Sequence, residues 1–423
     1  MRRICLLSIA AISLALALHA ARRPHYGGTL RMEIRRSLQT LDPKSFDQEL
    51  SGAVFETLVG WDVRWGQRLR PVPVLATAWQ ADAVRQNVAY TPRQKVILHN
   101  GATWEPDLAQ FTDQPDEMAL ARNAIAVKTA DGQLVGTGPF KVAKWDAGKS
   151  LTLVWHEAYW GPRPYLDSIE VRLGRSLRDQ ALDFDVGQAD VIEISPADVR
   201  RLRQRGATIA MTQPVATLAL VFDAAHPAPD AVREALALSI DREAIHSVIL
   251  QRTGEIAGSL LPQWVSGYAF LFPVTRDLAR ARQLAAKAEP LLFGYDRDDA
   301  LLRAIAERVA VNASEAGVTL RAGDSAPAQV RLVRLSISAP DAALALADLA
   351  QDLKVVQASL PAALRPYDLE RSLLAGFRVI PLFHLPRAYE LSARVKNWPQ
   401  AGNEASTLAD VWLAPERNAS DHP

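Results

Sequence analysis

Three short motifs in this chain carry residue types that do chemistry in other proteins, and spacing decides against each of them. Gly148-Lys149-Ser150 has the end of a phosphate-binding loop, in which backbone N–H groups and a lysine hold phosphates. Such a loop needs a glycine five positions before Gly148; that position is Ala143, and the flanks read strand, turn, strand. Gly136-Thr137-Gly138 opens a dinucleotide fingerprint, but Pro139 and Phe140 follow and no third glycine arrives. His156-Glu157 begins a zinc-protease pair whose second histidine belongs at the position held by Trp160. No serine sits in a G-x-S-x-G elbow. His99, His156, His226, His246 and His384 are scattered without ligand spacing, and sequence does not pair the abundant carboxylates for acid–base work. These readings leave no catalytic residue, no metal and no cofactor to assign. A binding protein survives them; a hydrolase of unrecognised type stays open.

The bulk properties narrow the class further. With 48 basic and 47 acidic residues the net charge is +1, so no electrostatic footprint for nucleic acid or an anionic membrane is present. A length of 423 residues suffices for two or three core-forming units. The N-terminus reads as an export signal. Arg2 and Arg3 precede an apolar run from Ile4 to Leu18, small residues Ala20 and Ala21 follow, and Arg22 and Arg23 end the run before it reaches the length of a membrane span. Cleavage near Ala20 is expected. The single cysteine, Cys5, falls inside that run, so the mature chain holds none and has no disulfide framework, zinc cluster or thiol nucleophile.

Helices and strands interleave along the rest. Residues 27–31 (GGTLR) start with a strand, Leu41-Asp42-Pro43 is a turn, and Val54, Leu58 and Val59 have helical spacing. A polar, loop-like stretch covers about 105–120. Residues 136–173 read as β, with a turn at DAGK between two strands. Residues 229–249 read as two helices capped by Asp230 and Asp241. A further helix runs from Asp299 to Ala316 with Leu302, Ile305 and Val309 inward; Gly317 stops it, and VTL starts a strand. The tail 414–423 is polar and expected to be disordered. No repeat of fixed period is visible.

Taken in order, several of these segments resemble one family. GGTLR with LDP at 41–43, VFETLVGWD at 54–62, PVLATAWQ at 73–80 and VILHNGATW at 96–104 come first. GTGPFKVAKWDAGKSLTLVWHEAYWGPRPYLDSIEVRL at 136–173, VGQADVIEISPADVRRL at 186–202 and VREALALSIDREAI at 232–245 follow. GVTL at 317–320 and IPLFHLPRAYELSARVKNW at 380–398 complete the set. The collinear series is similar to the extracellular solute-binding proteins of family 5, the peptide/nickel-type periplasmic proteins that serve ABC importers. The segment between NGATW and GTGPF is only about 30 residues, shorter than the insert usual in the family. No counterpart to the family's late tryptophan and ammonium-pairing aspartate stands between Val330 and Leu374.

The resemblance implies a two-lobed α/β fold of the type II periplasmic-binding class, with mixed sheets and a reduced accessory subdomain. It implies lobe I from 27–46, 136–221 and 384–413, an accessory subdomain from 47–135, and lobe II from 222–383, with crossings near Phe222 and Phe383. It implies capture of a small organic, peptide-like solute by hinge closure, a monomer, no nucleic acid, and an ABC permease as partner. Residues near the crossings and inter-lobe loops become candidate ligand contacts: Phe46, Asp47, Trp104, Phe222, Asp223, Phe383 and His384. Aromatics there would supply apolar area, and Asp47 or Asp223 would hold a cationic group. A sensor module that signals instead of feeding a permease is the alternative within the same class.

Overall fold

The computed structural model describes residues 23–43, 48–62, 70–82, 87–105, 124–130, 132–226, 228–268, 271–286, 288–323, 328–337, 341–353, 365–399 and 407–415. The expected export signal, Phe46 and Asp47, nearly all of the polar stretch and the end of the tail lie outside them.

The alternating stretch 136–173 folds as expected. After β1 (Thr29–Glu33) and the small strands β2 to β7 comes β8 (Phe140–Asp146), which pairs antiparallel with β9 (Ser150–Trp155), and β9 in turn with β10 (Ser168–Arg172). Gly148, at φ +72°, makes the tight turn between β8 and β9. Lys149 there is exposed and lies 3.8 Å from Asp146, so Gly148-Lys149-Ser150 is a hairpin turn. β1 lies parallel to β10 on one side and to β11 (Val191–Ile194) on the other.

Two long strands tie the molecule together. β12 (Thr208–Phe222) and β17 (Val379–Leu391) pair antiparallel over most of their length. At one end β17 also pairs with β11; at the other β12 pairs with β16 (Val330–Ser336). Beyond β16 lie β14 (Leu291–Gly294) and β15 (Leu320–Ala322), and the two-residue β13 (Glu255–Ile256) flanks β17. In the middle of the ribbon Pro214 faces Pro386, with register shifts on both sides of Pro214. Neither proline has an N–H to give to the ladder, so the ribbon is weakest there.

Three apolar cores are arranged around this ribbon. The largest uses Leu218–Phe222 of β12 and Val379–Leu385 of β17 with the helices Asp230–Ser239 and Ala300–Glu315. The second uses β1, β9 and β10 with Leu50, Val54 and Phe55 and, from the ribbon, Ala210, Tyr389 and Leu391. The strand pair therefore changes core around Pro214 and Pro386, while Phe222 and Phe383, the expected crossings, sit inside the first core. The third core is small: Leu58, Leu75, Val96, Leu98, Trp104 and Ile125. It is framed by antiparallel pairs: β2 (Val59–Asp62) with β3 (Arg70–Pro73), β4 (Ala76–Asp82) with β5 (Asn87–Pro92), and β6 (Val127–Lys128) with β7 (Leu134–Val135). β18 (Val395–Lys396) and β19 (Trp412–Leu413) close the second core.

Local chemistry explains most helix ends and corrects four expectations. Asp299 accepts from the N–H groups of Leu301 and Leu302 and starts a 16-residue helix, and Gly317, at φ +87°, follows its end. The strand beyond begins at Leu320, not at Val318. Asp241 caps as expected, accepting from Ala244, but its helix is one short turn that runs into a π-helical turn, Ile245–Ile249. Asp230 is not a cap. Pro229 holds that position with extended backbone, and Asp230 pairs with Arg233 instead. The helix Gln48–Val54 stops before Leu58 and Val59, whose backbone has passed into the edge of the third core.

Candidate functional site

The carboxyl ends of parallel strands are where open α/β sheets present ligand sites, because loops diverge there and leave a crevice. Two such ends meet in this protein. In the part built on the second core, β1 and β11 run parallel, and their C-terminal ends carry Arg35 and Glu193. In the part built on the first core, β14 and β16 run parallel; Asp299 follows β14 and Arg334 lies near the end of β16.

These residues form one charged cluster across 264 positions of sequence. Arg35 Nη1 donates to Asp299 Oδ2 at 2.9 Å. Arg334 Nη2 donates to the same oxygen at 3.4 Å. The other oxygen of Asp299 is taken by the helix N-terminus. Glu193 Oε2 accepts from the Arg35 backbone N–H at 2.6 Å. Arg387, on β17, donates its backbone N–H to Thr212 Oγ1 of β12 at 3.0 Å, beside the proline pair of the ribbon.

Burial alone would raise the Asp299 pKa; Arg334, the Arg35 hydrogen bond and the Leu302 N–H outweigh it, and the carboxyl is held below its usual range. Arg334 is shifted down, first by desolvation and then by the positive charges of Arg35 and Arg387, against the pull of Asp299 and Glu193. It stays a cation, as guanidinium does in proteins. The exposure is uneven in an informative way: the side chain of Asp299 is 7% exposed, those of Arg35 and Arg334 32% and 36%. The carboxylate is wedged between two guanidiniums whose outer faces reach solvent.

Phe46 and Asp47 fall outside the described residues, and the other candidate contacts chosen from sequence lie elsewhere. Phe222 and Phe383 are core side chains, 7% and 0% exposed. Asp223 accepts from the Ala225 N–H and pairs with His226 at 3.0 Å, a turn cap. Trp104 is buried in the third core. His384 is internal; its Nδ1 lies 2.9 Å from Thr217 Oγ1 and its Nε2 3.4 Å from Ser259 Oγ, and burial pushes its pKa down to about 3. The Ser259 hydroxyl donates to the Leu261 carbonyl at 2.7 Å, and both Ser259 and His384 are buried, which is the geometry of a satisfied core pair. Arg35, Arg334 and Arg387 escaped the sequence reading. The available signal was Asp299, legible as the start of a helix, and three arginines in strand-like stretches, where charge needs a partner; the partner itself was not legible.

Among the described residues no group of three or more histidine, cysteine or acidic side chains is placed to hold a metal, and no helix is long and apolar enough to cross a membrane.

This architecture, with two sheet ends opposed across a proline-interrupted ribbon, is that of two-lobed type II periplasmic binding proteins. Residues 91–322, more than half of the chain, match the model of the bacterial extracellular solute-binding proteins, family 5, and the chain belongs to that family. It is 31% identical over 137 residues to the peptide transport periplasmic protein SapA of Salmonella typhimurium, a match spanning 31% of this chain and 25% of SapA. The structure of the murein tripeptide binding protein MppA of Escherichia coli aligns over 93% of this chain and 100% of its own, with TM-score 0.75 and 15% identity. The oligopeptide-binding protein AppA of Bacillus subtilis, in complex with a nonapeptide, aligns over the same shares with TM-score 0.73 and 14% identity. At those identities the likeness is one of fold.

Proposed function

We propose that the protein is the substrate-binding component of an ABC importer. It captures a small organic solute, peptide or peptide-like, between its two lobes and presents the closed form to a permease. The observation that carries this reading is the charged cluster Arg35–Asp299–Arg334 between opposed sheet ends. Its members come from both sides of the proline pair, so a solute held there contacts both lobes only when the ribbon bends to bring them together. Such a solute binds the closed state preferentially and shifts the population toward it. The names of SapA, MppA and AppA favour a peptide or a peptide fragment as the class.

Within this reading the division of the chain follows the cores. Lobe I comprises 27–55, 136 to about 213 and about 387–413; lobe II runs from about 215 to 385; the accessory subdomain is 56–135. The protein is exported by cleavage near Ala20, acts as a monomer and converts nothing. The buried Ser259 and His384 speak against the hydrolase alternative, since a nucleophile needs access to its substrate.

Ligand binding and compaction test the proposal together. Di- to pentapeptides, amino sugars and nickel chelates are screened by thermal shift, and small-angle scattering follows any hit. A bound solute at a hundredfold excess over Kd raises stability by about 2.7 kcal/mol and reduces the radius of gyration. A panel-wide absence of both responses, with no solute co-purifying from cells, sinks the reading and favours a signalling or scaffold role. Turnover of a peptide or ester by the purified protein would show it to be an enzyme.

A further inference from the structure

Away from the charged cluster, three exposed arginines share a groove that no carboxylate lines. The helix Val199–Gln204 carries Arg200 and Arg203, and the turn after the π-helical segment Ile245–Ile249 carries Arg252. The groove between them holds about 400 Å³. Among the described residues none of the three has an ion pair: Arg203 gives one N–H to the Met211 sulfur at 3.3 Å, and Asp198, the acid next to the helix, is taken by Arg201 at 2.9 Å. In a chain of net charge +1 this concentration is local. Guanidiniums so placed are standing donors for carboxylates brought by another molecule.

On the other side of the same π-helical turn lies an apolar groove of about 430 Å³. Val248 and Ile249 form one wall, and Ala304 and Val311 of the helix Ala300–Glu315 form the other. Val248 is 68% exposed and Val311 49%, although both are apolar. The backbone between the two grooves is held in an uncommon shape. Gln251 and Arg252 have φ of +50° and +63°, the left-handed region that side chains avoid. The Arg252 N–H donates to the His246 carbonyl and the Thr253 N–H to the Leu250 carbonyl, each at 2.9 Å, which fixes that shape. π-Helical turns and left-handed residues are concentrated at functional sites. An apolar crest beside unpaired arginines has the composition of a protein contact, apolar at its centre and enriched in arginine. A free anion would use the arginines and leave Val248 and Val311 in water.

Resting on the importer reading above, we propose that this surface docks an integral membrane partner, the permease on that reading, through a segment that carries carboxylates beside an apolar side chain. On the division given above, Arg200 and Arg203 belong to lobe I, and Arg252, Val248 and Val311 to lobe II. Movement of the lobes therefore sets the gap between the arginines, and the partner reads the arrangement of the lobes through it.

The test uses the full chain in cells that produce it. Val248→benzoylphenylalanine places a photo-crosslinker on the crest. Tyr26→benzoylphenylalanine is the control, since Tyr26 is 60% exposed and lines neither groove. The crosslinked segment is sequenced by mass spectrometry. The expected product joins position 248 to an acid-bearing segment of a membrane-spanning protein, and its yield falls by about fivefold or more when Arg203→Glu or Arg252→Glu is added. Circular dichroism and solute binding should be unchanged in both variants, because neither arginine belongs to the Arg35–Asp299–Arg334 cluster.

A soluble partner, a segment without carboxylates, a yield unmoved by charge reversal, or equal crosslinking from position 26 overturns the proposal. So does the absence of any crosslink; the importer reading then still stands or falls on solute binding with compaction, which needs no partner. An acid-bearing segment of a membrane receptor that is not a transporter supports the surface and overturns the importer reading. Co-sedimentation of the purified protein with phosphatidylglycerol vesicles, lost in the same variants, assigns the surface to lipid headgroups and overturns docking on a protein.

Discussion

The molecule has two seams, and they are built oppositely. Where the accessory subdomain meets lobe I, several buried polar groups are matched, although Thr137 Oγ1 and His156 Nδ1 are buried without a hydrogen-bond partner. Glu56, 8% exposed, accepts from the Tyr159 hydroxyl and the Trp160 indole, each at 2.9 Å. The Arg93 guanidinium lies 3.9 Å from the centroid of the Trp160 ring. His99 Nε2 lies 3.0 Å from the Gly138 carbonyl, and the His99 and His156 rings meet edge to face at 5.0 Å. Backbone runs against backbone: Gly136 and Gly138 press on the end of the helix Gln48–Val54 with no room for a Cβ. Between the lobes, by contrast, a few charged groups face one another half in water across a weakened ribbon. A close-packed seam resists opening, and a sparse polar one yields to it. We propose on this contrast that the subdomain and lobe I move as one piece, with motion concentrated at Pro214 and Pro386.

The largest effect is expected from forcing the tight seam apart. A Cβ at Gly138 would lie 2.6 Å from the Ala53 carbonyl oxygen and 2.8 Å from Val54, all backbone that cannot swing aside. Gly138→Ala should lower stability by about 2–4 kcal/mol, read from denaturant unfolding. A loss below about 0.5 kcal/mol would mean that the subdomain floats on lobe I and the contrast between seams is false.

Protonation attacks the same seam. Burial, opposed by the Gly138 carbonyl and reinforced by His156 and Lys141, holds the His99 pKa down to about 4, and burial lowers that of His156 too. Below the unfolded value near 6.5, the unfolded chain takes up a proton that folded His99 refuses. Its stabilising contribution is thus complete above pH 6.5 and lost as pH falls toward 4, up to about 3 kcal/mol. Glu56 works in the opposite sense: burial raises its pKa, and its cost grows as pH rises above the carboxylate range. Comparison with His99→Gln isolates the histidine, since the amide can still donate to Gly138. The variant should show a shallower loss of stability between pH 6.5 and 4; identical curves would remove His99 from the linkage.

A smaller loss is expected from Glu56→Gln. The amide nitrogen cannot accept from the indole N–H, so one of two buried hydrogen bonds is given up, at about 1–2 kcal/mol. An unchanged melting temperature would show that water already serves the Trp160 N–H.

These seams differ also in how legible they were. Local rules found the β8–β9 hairpin, the start of a helix at about Asp299 and the Gly317 stop, because each depends on residues within a few positions. The reason for the glycines of the Gly-Thr-Gly stretch, close approach to Val54, involves residues about eighty positions away. Strand β17 is buried along nearly its whole length, between β12 and β11, so its apolar run carries no periodicity to say which residues face a crevice. That is why Phe383 and His384 looked eligible as contacts. Arg35 and Asp299 meet only because strands far apart in sequence come together in one sheet, and no spacing in the sequence encodes that.

The smallest expected effect is on stability at the open seam, and it sharpens the comparison most. Arg35→Gln removes a guanidinium that is about a third exposed, from an ion pair of the kind that contributes little in water. The opposing consideration is Asp299, which is buried and would lose a partner, and stranding a buried charge is costly. It is not stranded, however: the N–H groups of Leu301 and Leu302 and the Arg334 side chain still donate to it. The loss should therefore be under about 1 kcal/mol, well below that of Gly138→Ala, although the same substitution is expected to weaken solute binding by about tenfold or more. Thermal denaturation of the two variants side by side measures the contrast. Equal losses would mean that the charged cluster fastens the lobes as firmly as the tight seam fastens the subdomain, and a fastener of that strength cannot also be the place where the protein opens.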